Sequence, residues 1–410
     1  MNRKLNTILI IALAAILISL GLAGCSGSVA KKGWAGVSAI DDTLIFVNMS
    51  GNIYSIDSTN NTVVGTPVKF QITSSGGISC LPSSCGGSST SPIASYSSPS
   101  INGDMAIIGG NDGRVRAYPY LDGQLRENIR WTYPPDTSLG YSIIGGLALS
   151  GDKVFFASVN GTIYALNAAE GYKVWSTDLG TKIWSAPAVD GDTVYISGFD
   201  KNLYALNAAD GTIKWQYQTN GAMSATPIVD NGIVYVGGYD RTFYAISTTT
   251  HQLVWKFPTA GNTSNVPDNW FWVTPIIHNG LIYAANLDGK VYVLDAATGR
   301  LNRVVDFATG FQKPGISSTP VVVDDLVVVA VTDLTKSTTK VNSATASKIF
   351  AINTVTGGQS ELTNFKESIN SPLVAHNDKV YVHTSIDNLF VVNPQNGATQ
   401  SISLTASTSK

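Results

Sequence analysis

Eight successive copies of one pattern, each reading as four short strands, predict an all-β chain folded as an eight-bladed β-propeller of four-stranded antiparallel blades. Three observations carry this expectation. The stretch Ala205–Trp215, ALNAADGTIKW, nearly repeats Ala165–Trp175, ALNAAEGYKVW, forty residues earlier. Asn-Gly and Asp-Gly pairs punctuate the copies, and these tolerate the positive φ angles of a tight hairpin. Charged residues make up only 13% of the 410-residue chain, against about 25% in ordinary soluble domains. Gly, Ser, Thr and Asn take their place, as many short strands joined by turns require.

The first element precedes the repeats. Arg3 and Lys4 form a positive start, an apolar run follows from about Ile8 to Leu20, and Leu22–Cys25 reads LAGC. A bare membrane-spanning helix needs about 20 apolar residues; this run is shorter and ends in small residues, as a cleaved signal does. The ending resembles the lipobox of bacterial lipoproteins. That resemblance implies a signal peptide over 1–24, a diacylglycerol on the sulfur of Cys25, and a lipid-anchored linker over 25–33, so that the membrane is a partner through the lipid. An uncleaved anchor helix is the alternative, and both place the remaining chain outside the cytoplasm. Ser26 after the anchor suits the outer membrane of a two-membrane bacterium; in a single-membrane cell the same chain stays on the outer face of the plasma membrane.

The repeats occupy 34–404. An anchor residue opens each copy: Val37, Pro99, Leu147, Pro187, Pro227, Pro275, Pro320 and Pro372, with steps of 48, 40, 40, 48, 45 and 52 residues from Pro99 onward. A small apolar strand such as APAV comes first. A turn (DGD or NG) leads to an alternating second strand such as TVYISG, and a second turn to a third strand, LYALN or VYVLD. An AADG-type turn then enters the fourth strand, which carries Trp175, Trp215 or Trp255. One such sheet cannot bury both its faces, and stacking against neighbours on either side does so. The recurring Trp then fills the outward-widening wedge between blades, while small inner residues suit the narrow end.

The pattern Ala-x-Asn/Asp-x-x-x-Gly-x-x-x-Trp at Ala165–Trp175 and Ala205–Trp215 resembles the pyrroloquinoline-quinone (PQQ) type repeat. Ala245–Trp255 keeps the Ala and Trp with His251 in place of Gly, and the last three copies keep Gly299, Gly357 and Gly397 without the Trp. Eight-bladed members of that family include quinoprotein dehydrogenases and the lipoprotein propeller subunit of the outer-membrane β-barrel assembly machine. The resemblance implies the fold over the whole mature chain.

With the first strand innermost, first-to-second and third-to-fourth turns share one face, and they are terse. The opposite face receives every long insertion: Ser74–Tyr96, Pro134–Ile144, Pro258–Phe271, Asp306–Ser317 and Asp333–Lys348. Long loops on a rigid scaffold are where binding usually resides. The first insertion holds Cys80 and Cys85, which in an oxidising compartment either close a small disulfide loop or remain free thiols. Three residues before the anchors stand Trp34, Tyr96, Trp184 and Trp272, with Trp270 and Phe271 beside the last. These rim aromatics either stack a ligand or grip a peptide, or they plug the channel mouth.

Catalytic chemistry has little support. The four histidines lack ligand-like spacing, so no metal site is expected. The recurring Asp residues (Asp42, Asp104, Asp152, Asp192, Asp240, Asp288) sit where turn chemistry explains them. A PQQ dehydrogenase would need calcium ligands and an Asp base that cannot be named, and the haem-binding segment and adjacent-cysteine disulfide of that branch are absent. The net charge of -2 gives no basic stripe for nucleic acid. The expected function is therefore a lipid-anchored, monomeric scaffold without catalytic residues or cofactor, binding an envelope protein through the long-loop face. A sensor for a small molecule or glycan is the alternative, with the dehydrogenase behind it.

Overall fold

The structure, a computed structural model, describes residues 36–74, 89–259, 264–336 and 338–404. Trp34, Cys25, Cys80 and Cys85 lie outside them. The described chain is strand throughout, with no helix long and apolar enough to cross a membrane. Eight antiparallel sheets follow one another from Val37 to Ile402, each paired in simple sequence order. The first strands of successive blades lie side by side around the centre, and that of blade 8, Val374–His376, lies beside Val37–Ile40 of blade 1. The ring is closed.

Second strands show why the apolar runs are nearly unbroken. In Lys153–Ala157 of blade 3, Val154 and Phe156 pack into the core shared with blade 2. Phe155 and Ala157 face the core shared with blade 4. Successive side chains point to opposite faces, and both faces are covered by a neighbour, so both sets are apolar.

Two blades depart from the plain pattern. In blade 2 the fourth-strand place is split between Gln124–Leu125 and Trp131–Tyr133, both on the third strand Val115–Leu121. In blade 7 the second strand runs on to Asp333, and both Pro314–Gly315 and Val321–Val323 pair with it. A separate hairpin pairs Gln71–Ser74 with Ser89–Pro92. The anchor of the eighth blade also shifts by one. Because His376 pairs with Lys379 as His278 pairs with Leu281, the residue equivalent to Pro275 is Leu373, not Pro372. The rim position of that blade is accordingly Asn370 rather than Ile369.

The repeat signature is an interlock between blades. Asn167 holds its turn by accepting the N–H groups of Ala169 and Glu170 at 3.1 and 2.9 Å, as Asx turns do. Gly171 follows at φ 76°, and the indole of Trp131 from blade 2 lies on it, with Nε1 donating to the Ala168 carbonyl at 3.1 Å. Trp175 repeats this on Gly211 and Ala208 (3.0 Å), and Trp255 on Gly299 and Ala296 (2.9 Å). Arg303 takes the Trp place over Gly357. Where glycine is missing, His251 at φ 59° stacks its ring on Trp215, centroids 5.0 Å apart at 20°.

A pair of substitutions tests the interlock. A Cβ on Gly211 would stand 2.4 Å from the Trp175 ring, on a left-handed backbone. Gly211→Ala is expected to cost about 2–4 kcal/mol from strain and overpacking together. His251→Gly trades a relieved left-handed backbone against a lost ring stack and should stay within about 1 kcal/mol. Denaturant midpoints measure both.

Candidate functional site

The connections sort as their lengths require. Every first-to-second turn has two residues between its strands, whereas the described parts of the links over 134–147, 258–275 and 307–320 and of the blade 7 excursion over 334–346 lie on the opposite face. The described chain also begins, at Gly36, and leaves its last strand, at Ile402, on that face.

At its centre, blades 4, 5 and 6 assemble one aromatic stack. Trp184 and Trp272 enter the first strands of blades 4 and 6, which are not neighbours, yet their centroids are 6.3 Å apart in an edge contact. Ser224 holds the intervening place in blade 5, and its small side chain lets the two indoles meet over it. Tyr239 lies nearly parallel to both Trp270 (4.7 Å, 14°) and Trp272 (5.9 Å, 12°). Phe199 closes the set, edge-on to Trp184 at 4.7 Å and to Tyr239 at 5.8 Å. All five rings are half-buried. Burial pushes the Tyr239 phenol pKa well up, so it stays a neutral hydroxyl. The buried Nε1–H of Trp184 has no hydrogen-bond partner among the described residues.

The sequence-predicted rim residues divide. Trp184, Trp270 and Trp272 come together. Tyr96 stands half-buried at the corresponding entry of blade 2, and burial raises its hydroxyl pKa. Phe271 is a correction: it is 1% exposed and packs inward against Phe243 and Tyr292 at 5.5 and 5.8 Å. It is core, because its neighbours on either side already face the mouth. Phe199 and Tyr239 were not foreseen. They sit in the second-to-third turns, read from sequence only as turn residues.

The turn aspartates are held by their own blades. Asp200 and Asp240 each accept the hydroxyl of the tyrosine four residues on, Tyr204 and Tyr244, and the N–H of the residue two on. Asp288 accepts Tyr292 at 2.8 Å, and burial raises its carboxyl pKa. These carboxylates are committed beneath the stack, and no group of three or more His, Cys, Asp or Glu side chains among the described residues is placed to hold a metal.

Comparison with known proteins places the chain. The family model described as outer membrane protein assembly factor BamB matches residues 128–226 and 159–403. The chain belongs to the BamB family. The solved structure of BamB from Moraxella catarrhalis superposes with a TM-score of 0.65 at 18% identity, covering 90% of this chain and 99% of that one. The computationally designed Ika8 protein superposes equally well, TM-score 0.65 at 15% identity over 88% and 96%. No curated protein matches in sequence. At such identities the structural likeness speaks for the fold, and a designed propeller matching as well as a natural one shows that ring architecture alone carries no function. The BamB family tie comes from the sequence pattern.

Proposed function

We propose that this chain is a lipid-anchored scaffold of the cell envelope, outside the cytoplasm, that binds a protein partner through its long-loop face. The observation that carries the reading is the stack of five half-buried rings, which bridges two non-adjacent blades at the channel mouth and leaves an indole N–H unpaired. Aromatic rings of this kind supply large contact area at low entropic cost and recur at the energetic centre of protein interfaces. The family, and the LAGC ending at Leu22–Cys25, support the envelope location and the lipid on Cys25. The scaffold acts as a monomer, without catalysis and without a cofactor.

The test is recovery of partners from detergent-solubilised membranes. The Trp270→Ala/Trp272→Ala variant should fold and lose the partner that wild type retains. Equal recovery by both proteins removes this rim as the interface. Cys25→Ala, run alongside, should shift the protein from the membrane to the soluble fraction.

A further inference from the structure

Seven blades share one five-residue turn between second and third strands. It is closed by a backbone hydrogen bond from its first N–H to its last carbonyl, as in Gly110 to Arg114 (2.9 Å), Gly198 to Asn202 (2.9 Å) and Asn286 to Lys290 (3.0 Å). The fourth residue is left-handed in every case. Gly51, Gly113, Gly161 and Gly289 occupy it in four blades, at φ 69°, 73°, 108° and 81°, whereas Lys201 (75°), Arg241 (64°) and Asp387 (77°) occupy it in blades 4, 5 and 8. A side chain there carries a backbone penalty of about 1 kcal/mol that glycine escapes. Asp387 has a structural reason: its Oδ1 lies 3.3 Å from His383 Nε2 of its own blade and accepts the Met49 N–H at 2.8 Å across the closure of the ring. Lys201 and Arg241 have none. Both are exposed, and neither side chain makes an ion pair or hydrogen bond among the described residues.

These two cations lie in neighbouring turns, two residues after Phe199 and Tyr239, at the edge of the aromatic stack. Exposed Lys182 joins them, since its carbonyl accepts the Phe199 N–H at 3.1 Å. The aspartates between ring and cation are tied inward to Tyr204 and Tyr244, while the cations reach solvent.

We propose that Lys182, Lys201 and Arg241, with the stack of Trp184, Phe199, Tyr239, Trp270 and Trp272, form a seat for an acidic segment of a protein partner whose aromatic or aliphatic side chains meet the rings. The inference rests on the long-loop face being the binding face, and adds the chemistry of what binds there. A flat bilayer would draw on the whole face, whereas the exchange of glycine for a cation is confined to two adjacent turns flanking one stack. Complementary charge of this kind selects partners and their orientation.

Fluorescence polarisation on the full-length protein in detergent tests this with short labelled peptides, one alternating Glu/Asp with Phe/Tyr and one alternating Lys/Arg with Phe/Tyr. The acidic peptide should bind and the basic one should not. Added salt should weaken binding, and Lys201→Gly/Arg241→Gly should weaken it by about tenfold or more. The melting temperature of that variant should be unchanged or raised, because glycine relieves both turns, so lost binding cannot be laid to unfolding. Equal binding by the variant, or no preference for the acidic peptide, overturns the proposal. So does cation-dependent binding to phosphatidylglycerol vesicles without binding to the acidic peptide. If Trp270→Ala/Trp272→Ala loses the membrane partner while the double glycine variant keeps it, the rim reading stands and the charge inference falls; if both keep it, both fall.

Discussion

Trp175→Ala is expected to lower the free energy of unfolding by about 3–5 kcal/mol. The side chain is 7% exposed and lies in the core between blades 3 and 4, with Phe155, Ile183, Val194, Tyr204 and Leu206. Its Nε1 satisfies the Ala208 carbonyl at 3.0 Å, and its face covers Gly211. Truncation leaves a void bounded by two sheets whose backbones are held by their own ladders, so the site collapses poorly, and it strips a carbonyl of its partner. Guanidinium unfolding should show a lower midpoint at unchanged slope. Trp272→Ala should cost distinctly less stability, because that ring is already half open to solvent. One residue type thus serves two purposes, wedge and rim, and the contrast between the two variants separates them. Equal losses would mean that the rim tryptophans are structural after all.

Much of this architecture was legible because it is periodic. Alternation in the second strands, Asn-Gly and Asp-Gly turns and the Trp spacing all follow from local geometry repeated in every blade, so eight copies and the two faces could be counted from the chain. The failures come where local pattern is broken or where partners are distant in sequence. Trp131 belongs to the same wedge series, but residues 126–130 interrupt its strand and displace it from the expected spacing. Pro372 attracted the anchor assignment although the hydrogen-bond register selects Leu373. In Trp270–Trp272 the three rings read as one aromatic cluster, yet consecutive side chains of an extended segment point opposite ways. Trp270 and Trp272 therefore face the mouth and Phe271 the core. Phe199 and Tyr239 did carry a signal: each begins a Phe/Tyr-Asp-Lys/Arg triplet whose last place is glycine in four sister turns. Its meaning depended on a left-handed φ that sequence alone does not display.

The last large effect concerns the seam. Blade 1 is built from residues 37–69 and blade 8 from 374–402, so among the described residues neither blade takes a strand from the other end of the chain. Closure rests on side chains. Phe46, fully buried, packs edge-on against His383 at 4.7 Å, within a core that also joins Leu44, Tyr54 and Ile56 to Tyr381, Leu389 and Ile402. Across the join Asp387 accepts the Met49 N–H, Asn377 donates to Asp42 and Ser58, and Lys379 and Tyr381 donate to the Ser58 carbonyl. Phe46→Ala should cost about 3–5 kcal/mol, as should Phe156→Ala in the equally buried wedge between blades 2 and 3. The two differ in what opens. Blades 2 and 3 are also linked covalently through 134–147, so loss at Phe156 is felt mainly in global unfolding. Blades 1 and 8 have no such link, and a weakened seam can part while the other wedges hold. Hydrogen exchange in Phe46→Ala should therefore rise in 37–69 and 374–402 before it rises elsewhere, a sub-global opening. Uniform loss of protection around the ring would show that the seam is no weaker than any other wedge, and that eight packed interfaces, rather than the continuity of the chain, determine how the ring stays shut.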